Sequence, residues 1–412
     1  MKKPELLIPA GNIEALKVAV LYGADAVYIG GEMFGLRAKA KNFSLDDMKK
    51  GIEFAHKHNV KVYVTANIIA HNNDIIEVEE YFEELKLIKP DAIIIADPGI
   101  LSIAKDIIPD IELHLSTQAN NTNYKSFMFW YNLGVSRIVA ARELSLDEIK
   151  KIREHIPDDL EIEAFIHGAM CISYSGRCLL SNYFTGRDAN KGACTHPCRW
   201  KYNIVEETRQ GEYMPIEENE RGTFIFNSKD LCMIEYIPQL LEAGIDSLKI
   251  EGRMKTLLYV ATVTRAYKKA LDDYLKEPKT YYNNRHNYLE EIKKCSYRPF
   301  TTGFYFEQPS ETTQIYDNNS YIKNYSFIGI VLDYNINKKI ALVEQRYKFS
   351  VGDEVEVMKK DGENEKLYIK ELWDEEFNTV IDAPHPKQKI YIKFNKEVKL
   401  GSYDLIRKRS VK

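Results

Sequence analysis

Residues 167–200, HGAMCISYSGRCLLSNYFTGRDANKGACTHPCRW, carry four of the six cysteines of a 412-residue chain. Six residues separate Cys171 from Cys178, fifteen separate Cys178 from Cys194, three separate Cys194 from Cys198, and Cys232 follows after thirty-three more. Four thiolates on irregular loops suit tetrahedral zinc or an iron–sulfur cluster. Structural zinc more often uses two tight CxxC-like knuckles, and the first pair is too open for one. Iron–sulfur ligation tolerates uneven spacing, and Gly168, Gly176 and Gly192 supply backbone N–H groups that can point at bridging sulfides. The plainer alternative is a set of small buried hydrophobes, which is how Cys295 in KKCSYRP reads.

Something must position those thiols, and the surrounding pattern is regular. Short β-branched runs alternate with helical stretches: ELLIPA, DAVYIG, VKVYVTAN, DAIIIAD, ELHLSTQ, SRIVAARE, LEIEAFIHG and, near residue 250, DSLKIEG. Eight strands, apolar almost throughout and separated by amphipathic helices, predict a parallel sheet covered on all sides, and a closed (β/α)8 TIM-like barrel fits best. A doubly wound open sheet is the alternative. The rhythm breaks between the seventh and eighth strands, where about eighty residues intervene. They hold the cysteines, a polar hairpin through WKYNIVEE and YMPIEENERGTFIFNS, and a helix expected to begin at DLCMIEYIP, with Cys232 at its start. An insertion there roofs the face on which barrels of this type do chemistry.

Barrel geometry aims the strand-end residues at one mouth. Arg142, Glu143, Glu251 and Arg253 are the candidate catalytic groups, and Asn67, Asp97 and Gln118 the candidate substrate-binding ones. Salt bridges Arg142–Glu143 and Glu251–Arg253 are the structural alternative. His167, expected just past the seventh strand, is a candidate acid or base, or a loop-fixing hydrogen-bond partner. No HExxH, GxSxG or recognisable Cys–His protease setting is present.

Lys and Arg number 57 against 61 Asp and Glu, a net charge of −4, so any nucleic-acid surface must be local. From about residue 325 the helical period gives way to short strands, predicting a small β-barrel. The expected organisation is a barrel over 1–275, including the insertion at 167–228, a connecting segment at 276–324 and the β-barrel at 325–412. Residues 386–412 contain nine Lys or Arg and two acids, a local excess of +7. Tyr391, Phe394 and Tyr403 are interleaved, as in a surface that tracks a phosphate backbone, although charge alone fits a solvated strand face equally well. Position 407, an arginine in that run, is assigned no role at the site. MKKPELLIPAGN has too short an apolar run for a signal peptide, so a cytoplasmic protein with reduced thiols and no membrane partner is expected.

Glu163, Phe165, Gly168, Ala169, Met170, Cys171, Gly176, Cys178, Leu180 and Ser181 together resemble the signature of the collagenase-like peptidase family U32. GRDANKGACTHPCRWKY, NSKDLCMIEYIPQLLEAGIDSLKIEGRMK and TTGFY at 301–305 resemble its further blocks, so the likeness covers nearly the whole chain. The resemblance implies a 4Fe-4S iron–sulfur protein acting in oxygen-independent hydroxylation. In different branches the target is a tRNA wobble uridine, converted to 5-hydroxyuridine with prephenate as donor, a ribosomal RNA cytidine, or a quinone precursor. The appended β-barrel is similar to that of the tRNA branch. The implied ligands are Cys171, Cys178 and Cys194, with the fourth left between Cys198 and Cys232, the latter matching the last ligand of the quinone branch. Two arginines at the mouth would suit the two carboxylates of a prephenate-like donor. Peptidase activity, and a cluster-bearing scaffold that needs a paralogous subunit, are the competing expectations.

Overall fold

The computed structural model describes residues 2–31, 42–170, 174, 177–189, 193–200, 203–204, 214–215, 229–307 and 321–410. Eight parallel strands close on themselves: β1 (Glu5–Pro9), β2 (Ala26–Gly30), β3 (Lys61–Ala66), β4 (Ala92–Ile95), β5 (Glu112–Leu115), β6 (Arg137–Val139), β7 (Glu161–Ala169) and β8 (Ser247–Ile250). Closure comes from β8, which pairs with β7 on one side (Ser247↔Glu163) and β1 on the other (Lys249↔Leu7). The outward faces of the strands join the helices in one large core. The inward faces hold a separate small cluster of Leu7, Ala26, Tyr28, Tyr63, Ala92 and Ile94. Helix starts are fixed by side chains that accept otherwise unsatisfied N–H groups, as Asn12 does for Ala15 at 2.8 Å and Ser145 does in a reciprocal box with Glu148.

Two expectations need correction. DLCMIEYIP does not open a helix. Asp230–Cys232 is a short strand, and regular helix begins only at Ile237, after a 3-10 turn. The cause lies in β7, whose nine residues outrun its neighbours. Its last three residues pair antiparallel with Asp230–Cys232, which covers backbone that would otherwise be a bare edge. His167 lies inside β7, not beyond it, directly opposite Cys232. In the insertion, Asn203–Ile204 pairs antiparallel with Met214–Pro215; the remainder of the expected hairpin lies outside the described residues.

The second domain is a seven-stranded antiparallel sheet, six strands of which close into a barrel around their own core. It packs on the helices Leu257–Lys276 and Pro278–Ile292 of the first. Arg407, fully buried, pairs with Glu291 at 2.7 Å and with Glu356, while Tyr22 donates to the Met358 carbonyl at 2.9 Å. Arg407 therefore serves the seam and not a basic surface. Three of the other eight cations in the expected basic stripe are paired as well: Lys408 with Asp353, Lys393 with Glu371 and Lys396 with Glu365. Phe394 belongs to the barrel core. Among the described residues no helix is long and apolar enough to cross a membrane.

The seam is acid-sensitive. Burial opposes the Glu291 charge, but Arg407, Lys294 and Arg265 outweigh it and hold the carboxyl at about 2 against an ordinary 4.5. A depressed carboxylate contributes stability above its unfolded value and loses it as pH falls through the folded one. Docking of the two barrels should thus weaken between about pH 4.5 and 2. Limited proteolysis across that window should release the domains, and Arg407→Met should move the transition to higher pH, because Glu291 then keeps only Lys294 and Arg265.

Candidate functional site

The C-terminal mouth of the barrel is built around the segment that follows β8. Glu251 donates its N–H to the His167 carbonyl at 2.8 Å and accepts from the Tyr259 hydroxyl at 2.7 Å through its own carbonyl. Arg253, 8% exposed, crosses the barrel top to donate from Nη1 to Thr65 Oγ1 at 2.9 Å. Three glycines make room. A Cβ on Gly11 would lie 2.1 Å from the Arg253 carbonyl oxygen, one on Gly30 2.2 Å from Arg253 Nη1, and one on Gly168 (φ +113°) 2.7 Å from the Glu251 backbone. The segment is therefore clamped by the ends of β1, β2 and β7, all of which must lack side chains there.

The predicted binding residues are only partly brought together. Asn67 Nδ2 donates to Ser116 Oγ at 3.0 Å, and Ser116 donates to Gln118 Oε1 at 3.4 Å, forming a buried polar chain over β3 and β5. Asn67 Oδ1 has no hydrogen-bond partner among the described residues and is buried, an acceptor site available to a ligand donor. Asp97 is instead an N-cap. Its carboxylate accepts from Gly99 and Ile100 at the start of helix Pro98–Ile107, so the DPG sequence is explained by helix initiation. Arg142 donates to the Ala169 carbonyl at 3.1 Å and lies 4.0 Å from the centroid of the Phe165 ring. Burial pushes the neighbouring Glu143 carboxyl up, with Arg142 opposing.

His167 is boxed by the rings of Tyr259, Tyr267 and Phe300 and is 2% exposed. Burial, reinforced by Lys255, lowers its pKa to about 3, so the imidazole is neutral. The Tyr267 hydroxyl sits between it and Cys232, 3.4 Å from His167 Nδ1 and 3.9 Å from Cys232 Sγ. Burial pushes the Cys232 thiol up to about 12. Such a thiol is a poor nucleophile, whereas a bound cation would release its proton.

The thiols fit a soft metal chemically, and Cys194 Sγ accepts the His196 N–H at 3.4 Å, a bond that stabilises thiolate sulfur. The described residues do not themselves close a coordination shell. No group of three His, Cys, Asp or Glu among them is arranged to hold a metal, and Cys171 lies outside the described residues.

A buried charge network inside the barrel went unread in the sequence. Arg137 pairs with Glu5, Glu161 and Glu163; Lys249 pairs with Glu163 at 2.6 Å; Tyr63 and Ser247 donate to Glu5 at 2.6 and 3.0 Å. Burial opposes the Glu163 charge, but Lys249 and Arg137 hold its carboxyl below the usual range. Lys249 also lies 4.6 Å from the Tyr28 ring centroid and 5.4 Å from that of Phe165, on which Arg142 rests. The signal was present as charges at alternating positions in LEIEAFIHG, SRIV and DSLKIEG, strands taken to be apolar.

Fold and site define a two-domain protein in which a (β/α)8 barrel carries a cysteine-bearing insertion after its seventh strand. The chain belongs to peptidase family U32: the model of that family matches residues 11–315, and that of the family's C-terminal domain matches residues 323–407. It is 44% identical over 397 residues, 96% of this chain and 93% of the relative, to tRNA hydroxylation protein P1 of Bacillus subtilis. It is 37% identical over 407 residues, 88% of this chain and 87% of the relative, to tRNA hydroxylation protein P of Escherichia coli. To 23S rRNA 5-hydroxycytidine C2501 synthase of Escherichia coli it is 40% identical over 273 residues, 66% of this chain and 40% of that one.

Proposed function

We propose that this protein is an RNA-modifying enzyme of the cytoplasm that hydroxylates a tRNA wobble uridine to 5-hydroxyuridine, with a prephenate-like dicarboxylate as oxygen donor. The observation that carries this reading is the full-length likeness to proteins named for tRNA hydroxylation, which extends through both domains. A base in an anticodon loop is unpaired and can be splayed into a barrel mouth, whereas a stacked one cannot. Asn67 Oδ1 offers a buried acceptor suited to the N–H of a pyrimidine edge. Arg253 and Arg142, at the ends of β8 and β6, carry the planar forks that match carboxylates. His167, enclosed by aromatic rings, positions the Glu251 segment through its backbone carbonyl.

An iron–sulfur cluster is part of the proposal. Cys171, Cys178 and Cys194 would hold it, with Cys232 or Cys198 as the fourth ligand, and when bound it supplies redox or Lewis-acid chemistry beside the mouth. A second family member as a partner subunit is compatible with this arrangement.

The test is reconstitution. tRNA from cells lacking this protein, incubated with the anaerobically purified chain and prephenate, should gain 5-hydroxyuridine, and a collagen peptide should remain intact. Peptide cleavage with no change in the RNA would establish proteolysis instead. Iron and acid-labile sulfide in the protein would separate a cluster from zinc.

A further inference from the structure

The insertion that follows β7 exposes large aromatic side chains. Tyr183 is 83% exposed, Phe184 47% and Trp200 44%. Their rings form one ledge: Tyr183 and Phe184 are 5.2 Å apart edge to face, and Phe184 and Trp200 are 6.3 Å apart. The ledge is held from beneath. Ser181, fully buried, accepts the Thr195 N–H at 3.1 Å, which ties helix Leu180–Thr185 to the segment that ends at Trp200. So much aromatic surface facing water marks an interaction surface.

Charge indicates which partner. Residues 174–200 contain four Lys or Arg and a single acid, Asp188, with Arg177 and Arg187 both exposed. The stack on the second domain, exposed Phe377 on half-buried Tyr391 at 4.3 Å, has Lys338 5.8 Å from the Phe377 ring but follows three acids, Asp374, Glu375 and Glu376, which would repel phosphate. Aromatic faces interleaved with cations and almost free of acids are what single-stranded nucleic acid needs: rings for its bases, cations for its backbone.

We propose that Tyr183, Phe184 and Trp200 form a stacking platform for unpaired RNA bases flanking the one delivered to the mouth, with Arg177 and Arg187 on the adjoining phosphates. This rests on the RNA-modifying reading and moves the principal RNA contact from the basic C-terminal stretch to the insertion. Each stacked base lost should weaken binding roughly 5- to 150-fold.

The experiment uses the full-length protein and tRNA. Ultraviolet crosslinking of the unmodified protein, mapped by mass spectrometry, should attach RNA at one or more of the three rings. Tyr183→Ala and Trp200→Ala should weaken tRNA binding by that factor with little change in salt slope, and Tyr183→Phe and Trp200→Phe should restore it. Arg177→Gln with Arg187→Gln should instead flatten the slope. Crosslinks confined to the second domain, with wild-type affinity in both alanine variants, would overturn the platform while leaving the enzyme reading intact. Unchanged tRNA affinity together with loss of a protein–protein complex on size exclusion would also overturn it, making the ledge a subunit interface. A wild-type protein that binds no tRNA would instead overturn the RNA-modifying reading itself.

Discussion

Arg253→Ala should lose RNA hydroxylation by about 10²-fold or more, the usual consequence of removing a preorganised charged donor. Arg253→Lys should not rescue it, because an ammonium cannot reproduce a planar fork. Arg253 is held by Thr65 and by the absence of a side chain at Gly30. Gly30→Ala is therefore the sharper probe. Its new Cβ would occupy the place of Arg253 Nη1, the movable end of a flexible side chain, so the guanidinium should swing away with little cost to the fold. Activity should fall while the urea midpoint stays near wild type. Gly11→Ala should lower both activity and the urea midpoint, because its Cβ meets the Arg253 backbone carbonyl, which cannot yield without distorting the mouth. Equal activity in Gly30→Ala and wild type would remove Arg253 from the donor site.

Arg137→Ala should cost about 3–5 kcal/mol, the range for breaking a buried ion pair from one side. Arg137 is 3% exposed and faces Glu5, Glu161 and Glu163; without it Glu163 keeps Lys249 and Glu161 keeps Lys2, while Glu5 is left with the Tyr63 and Ser247 hydroxyls. Part of the deficit should return at low pH, where the uncompensated carboxylates can take up protons. Urea unfolding of the variant at neutral and mildly acidic pH measures this. A loss below 1 kcal/mol at neutral pH would mean that water reaches the lower barrel and screens these charges.

The barrel itself was legible because strand and helix periods repeat with few interruptions, and each βα unit carries its own start and stop signals. What failed was non-local. Cys232 was read into a helix because Asp230–Cys232 is a strand only by virtue of pairing with the overlong β7, and a three-residue strand has no period of its own. The interior charges were passed over because Glu163 and Lys249 lie 86 residues apart in sequence. Each alone looks like an exception in an apolar run, and only barrel closure makes them a pair. At Asp97 a local signal carries more than the strand-end position does: Asp followed by Pro is a helix-start signature, and the carboxylate caps helix Pro98–Ile107. The basic C-terminal stretch shows the limit of counting charge, since Arg407, Lys408, Lys393 and Lys396 are committed to carboxylates of their own domain or of the seam. Removing residues 325–412 would consequently do more than subtract cations. It would strip the cover from Tyr22 and leave Glu291 without Arg407.

On the proposed function, this protein places one oxygen atom on a tRNA uridine. The most direct test is the nucleoside content of tRNA from a strain lacking the gene, in a genome with no second family member, with the gene restored as wild type, as Cys171→Ser or as Arg253→Ala. The expected result is wobble uridine short of one oxygen in the deletion strain, full hydroxylation with the wild-type gene and none with either variant. Normal 5-hydroxyuridine in the deletion strain would contradict the account.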